Sequence, residues 1–118
     1  MNIEELREYC ISKPGVTESF PFNETALVFK VMDKMFALLD ISEEARGISL
    51  KCEPELAIEL RSRYPEVTPA YHFNKVHWNG VSINGNVPDA QITEWVDHSY
   101  QLVVSSLTRK KQEELKSI

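Results

Sequence analysis

The stretch TALVFKVMDKMFALLDISEEARGISLKC, residues 25–52, decides the fold. Its apolar residues recur at every second position, which is the period of a half-buried strand rather than of a helix. In TALVFKVM, Leu27, Phe29 and Val31 share one face while Val28 and Lys30 point the other way. In MFALLDI, Met35, Ala37, Leu39 and Ile41 share a face. The two runs are joined at Asp33-Lys34, a hairpin-length connection without the glycine that makes such a turn easy. GISLKC then alternates again, with Ile48, Leu50 and Cys52 inward and Ser49 and Lys51 outward. Three strands in succession through short turns make an antiparallel sheet.

Working outward, TESFPF on the N-terminal side reads as a short edge strand, because Pro21 cannot donate to a central ladder. Before it, Asn2 and Glu5 form a capping-box pattern, and Ile3, Leu6 and Cys10 keep helical spacing until Pro14-Gly15. Glu4, Glu5 and Glu8 fall on the solvated face of that helix, near its positive end. On the C-terminal side, Pro54 opens a helix with Ala57, Leu60 and Tyr64 on its buried face, and Pro65 stops it. A further strand follows within residues 76–83. From Pro88, Ile92, Trp95, Val96, Ser99, Val103 and Leu107 sustain helical spacing for nearly twenty residues. The predicted order is α-β-β-β-β-α-β-α, a two-layer α+β fold with helices on one face of an antiparallel sheet. We read residues 1–108 as one domain and 109–118 as a charged tail, frayed or loosely helical.

The chain has 118 residues, the length of a single core, and 42% of them are apolar. Its net charge of −5 is uneven: residues 1–60 carry six basic against twelve acidic side chains, and residues 61–118 carry seven against six. Bulk attraction to phosphate is therefore absent, and nucleic-acid binding needs a local basic face. No run reaches the length of a membrane span, and MNIEELREYC lacks the basic and apolar regions of a signal peptide, so a cytoplasmic location is expected. Cys10 and Cys52 sit at inward positions and read as small buried hydrophobes. No catalytic triad pattern, phosphate loop or telling carboxylate pair is present, so the protein is expected not to be an enzyme and to need no cofactor.

The densest polar cluster is AYHFNKVHWNGVSI, residues 70–83. His72 and His77 are five apart, an odd separation that places them on opposite faces of a strand, and no third metal ligand stands nearby. A nucleic-acid surface is one reading. Lys51, Arg61, His72, Asn74, Lys75 and His77 are its candidate contacts, with Arg63, Lys30, Lys34 and the Arg109–Lys111 run as further cations. Tyr71, Phe73 and Trp78 would stack on bases or sugars. Architecture is the other reading: an irregularity at Asn79-Gly80 would let Trp78 join the core with Val81 and Ile83. A third class is a protein partner or a second copy held on an exposed apolar sheet face, for which Val28 and Phe36 are the hints.

Taken together, IEELREYC with KPGVTESFPF, LVFKV with KMFALLD, ISLKCEPELAIELR, PAYHFNKVHW and DHSYQLVVSSL resemble the MmcQ/YjbR family nearly end to end, most closely from Ile48 through Trp78. The resemblance implies a twisted antiparallel sheet similar to that of secretion chaperones and frataxin-like domains. It also implies DNA as the named ligand, because a member's shape suggested two wings that straddle a duplex. Fold alone does not carry that function. Two positions depart from the family pattern: Glu53 stands where aspartate is usual, and Val76 stands where many members have a second lysine.

Overall fold

The computed structural model describes residues 1–70 and 73–118. The elements run α1 (Ile3–Ile11), β1 (Val16–Ser19), β2 (Ala26–Val31), β3 (Lys34–Asp40), β4 (Gly47–Lys51), α2 (Pro54–Arg63), β5 (Val67–Pro69), β6 (Trp78–Ser82), α3 (Asp89–Ser106) and α4 (Arg109–Lys116). The six strands form one antiparallel sheet in the order β1-β2-β3-β4-β6-β5. The α+β class and the layering follow the expectation. The sequence reading missed β5, only three residues long and ending in a proline, and the loosely helical tail it expected is a docked helix, α4, whose Leu115 packs on the core.

Leu27, Phe29, Val31, Ala37, Leu39, Ile48, Leu50 and Val81 line the inner face, where Leu6 and Cys10 of α1, Ala57 and Leu60 of α2, and Ile92, Val96 and Val103 of α3 bury them. Asn2 caps α1 reciprocally with Glu5, as its spacing predicts. The hairpin turn falls one residue earlier than expected. Met32 and Asp33 occupy it with φ of 49° and 70°, the pair of left-handed conformations a two-residue turn of this hand requires.

Strict alternation fails at Phe36. The β2–β3 register passes from Phe29↔Ala37 to Lys30↔Met35, so Phe36 is the extra residue of a bulge. Its side chain is fully buried beside Phe29 and edge-on to Tyr100, with ring centroids 6.5 and 5.4 Å away. The expectation that Phe36 faces outward is therefore corrected. The bulge also ends the β3–β4 ladder at Ala37↔Leu50. The next two groups, the Lys51 N–H and the Phe36 carbonyl, are bridged by the buried Ser99 hydroxyl, which accepts from the first at 2.9 Å and donates to the second at 2.6 Å.

Candidate functional site

Helices cover one face of the sheet only. Across the other face runs a row fixed by register: Ser19, Val28, Leu38, Ser49, Gly80 and Thr68, one residue from each strand. None of them is charged, and towards β5 and β6 they are small. A trough of about 380 Å³ results, lined among others by Leu38, Ser49, Thr68, Ala70, Phe73 and Gly80. Val28 lies in this row but is 1% exposed, so it offers no apolar patch. The exposed large apolar side chains on the sheet's loops are Phe20, Phe22 and Val76.

At one end of the trough stands an aromatic pair. β6 pairs with β4 without any irregularity, so Trp78 faces outward opposite Lys51, and the inward place is taken by Asn79. The expectation of Trp78 in the core is thus corrected. The half-buried indole stacks on Phe73, with centroids 4.5 Å apart and planes 19° from parallel. Asn79 is 3% exposed and satisfied: its Oδ1 accepts from Arg61 Nε at 2.7 Å and its Nδ2 donates to the Ala57 carbonyl at 3.3 Å. A polar residue at an inward strand position is stable here because α2 supplies both partners.

The candidate residues separate into three groups. Lys51 and Lys75 project at the trough end, and among the described residues neither has an ion-pair partner. Asn74 and His77 are exposed but also build the turn: Asn74 Oδ1 accepts from the Val76 N–H at 2.9 Å, and the His77 carbonyl accepts from the Cys52 N–H at 2.7 Å. Arg61 is engaged from below. Besides Asn79, it donates to the Lys75 carbonyl and, at 3.3 Å, to the Trp78 carbonyl. Its guanidinium therefore ties the 73–78 turn to α2, a role that sequence reading missed because its partners lie 14 to 18 residues away. His72 lies outside the described residues, as does Tyr71. Arg63 pairs with Glu59 one helical turn back, away from the trough.

Elsewhere, burial pushes the Cys10 thiol up to about 12 and the Cys52 thiol up to about 11, so neither is a ready nucleophile at neutral pH. Glu53 precedes α2 without a side-chain cap bond; its N–H reaches His98 Nε2 at 3.5 Å. A second cavity, about 10 Å³ between Leu50, Leu60, Val67 and Trp95, has room for no ligand larger than a water. Among the described residues, no three histidine, cysteine or acidic side chains come together as metal ligands, and no helix is long and apolar enough to cross a membrane.

Comparison with known proteins agrees with this architecture. The YjbR family model matches residues 11–102. The uncharacterised protein YjbR of Escherichia coli K12 is 42% identical over 112 residues, covering 95% of both chains. YbdF of Escherichia coli O157:H7 is 31% identical over 116 residues, covering 96% of this chain and 93% of that one. Among solved structures, protein DR2400 of Deinococcus radiodurans, a DUF419 domain, superposes with a TM-score of 0.89 at 39% identity over 98% of this chain and 88% of that one. A Pseudomonas syringae protein gives 0.76 at 32% identity, over 86% and 98%. Sequence and shape thus agree along nearly the whole length: the chain belongs to the YjbR family.

Proposed function

We propose that this protein is a non-enzymatic binding module that holds nucleic acid against the open face of its sheet. The observation that carries the reading is the Phe73–Trp78 stack flanked by Lys51 and Lys75, two cations without an ion-pair partner among the described residues. An aromatic platform beside free ammonium groups offers stacking to a base and charge to its phosphate. The overall acidity does not oppose this. Helices α1–α3 carry eight acids against three arginines, which accounts for the whole net charge of −5 and lies on the far side of the sheet. Arg61 serves as a positioning residue, holding the turn that presents Lys75.

The test is fluorescence anisotropy with labelled duplex and single-stranded oligonucleotides at several salt concentrations. Binding is expected to weaken steeply with salt, and Lys51→Ala and Lys75→Ala should each lower the slope of log K against log salt by about one. Unchanged slopes in both variants sink the reading. A second reading, a protein partner in the trough, is favoured by its uncharged floor. Gly80→Asp tests it: a Cβ there meets nothing nearer than 3.6 Å, so the fold tolerates the change while the floor becomes charged. Self-association in sedimentation that Gly80→Asp abolishes, with no oligonucleotide bound at low salt, selects that reading.

A further inference from the structure

Charge on this molecule is sorted by the two ends of the sheet. The β2–β3 hairpin tip, the end of β4, the 73–78 turn and α4 all lie at one end, because Val16 pairs with Val31, Lys51 pairs with Trp78, and Lys111 Nζ reaches the Met32 carbonyl at 3.4 Å. Leu115 of α4 approaches so closely that a Cβ on Gly15, where φ is +73°, would stand 2.5 Å from its Cδ1. This docking fixes α4 beside the hairpin. The sheet end so assembled, with α4, holds eight Lys and Arg against Asp33, Glu53, Glu113 and Glu114, a balance of +4. The opposite end holds Glu24, Asp40, Glu43, Glu44 and Glu66 against Arg46, a balance of −4.

Within the positive end the cations follow a line. Lys75 stands in the turn before β6, Lys51 at the end of β4, Lys30 on the same face of β2 and Lys34 at the hairpin tip, while the exposed Lys110 and Arg109, the latter 3.7 Å from Glu113, open α4. With strands ~4.8 Å apart, β6 to β2 spans about 14 Å across the sheet. Resting on the nucleic-acid reading above, we infer that the phosphate backbone crosses the strands at right angles along this end, from the Phe73–Trp78 platform over Lys30 to a second contact on α4. The alternative course along the trough leads away from these cations towards the acidic end, where Asp40 lines it and Arg46 is the one cation beside it. Polarity of the sheet thus sets the direction of the ligand, and α4 is part of the interface rather than a trailing tail.

A length series separates this inference from the reading beneath it. The double variant Arg109→Ala/Lys110→Ala changes two exposed side chains and should leave the fold intact. With a single-stranded 12-mer its salt slope should be smaller than the wild type's by about one to two. With a 4-mer, which covers only the platform, it should bind like wild type. Equal binding of the 12-mer by variant and wild type, while Lys51→Ala and Lys75→Ala still weaken it, overturns the α4 contact and leaves the platform standing. If no variant affects either oligonucleotide, the nucleic-acid reading itself fails. Polyglutamate that competes as well as a 12-mer of equal charge would overturn the ligand class and assign the track to an acidic protein segment.

Discussion

Ser99 is the residue on which the site's geometry turns. Its hydroxyl stands where a ladder hydrogen bond would otherwise join β3 to the end of β4, and it fixes the backbone of Lys51. Ser99→Ala removes both bonds at once and leaves a part-buried N–H and a buried carbonyl unpaired. We expect a loss of about 1–3 kcal/mol in urea denaturation. Asn79 and Arg61 make the same point about legibility. The alternation of WNGVS is visible in the sequence, but which half of it faces inward is not. Ordinary hydrophobicity places tryptophan inside; the arginine that makes asparagine the better inward residue comes from another element.

Among the elements, the β2–β3 hairpin carries identifiable strain. Met32 and Asp33 hold left-handed conformations that cost a non-glycine residue roughly 1–2 kcal/mol each, less for aspartate. Replacing the pair by Asn-Gly should stabilise the protein by about 1–2 kcal/mol, read as a raised thermal midpoint with an unchanged circular dichroism spectrum. A lowered midpoint would show that the Met32 side chain contributes more to packing, where it touches the core, than its backbone costs. Long periodic elements such as α3 and β4 were legible because each repeats one pattern over several turns or residues. The bulge at Phe36 was not, since one inserted residue leaves the letters alternating while the side chains do not. β5 escaped for a different reason: three residues are too few to show a period.

At the scale of the whole molecule, α1 is fastened to α3 by a buried-edge network. Tyr9 OH donates to Asp97 Oδ1 at 2.6 Å, and Lys13 Nζ meets the same oxygen at 2.5 Å. Burial, then Asp97, pushes the Tyr9 hydroxyl up to about 12, and burial raises both thiols from their ordinary value of 9.0. Folding thus favours the neutral forms of all three. The stability they contribute is complete below about pH 9 and is lost as pH rises towards 12, because the unfolded chain gives up these protons first. Denaturation midpoints should be level from pH 7 to 9 and fall steadily above it; a level profile to pH 11 would refute the assignment. One arrangement shapes how the molecule comes into being. The hairpin closes through two residues, whereas β4 reaches β6 across the 26 residues of α2, β5 and their connections. Loop-closure entropy delays such distant pairing. The pairing that sets Trp78 beside Lys51 is therefore expected to form after the β2–β3 hairpin.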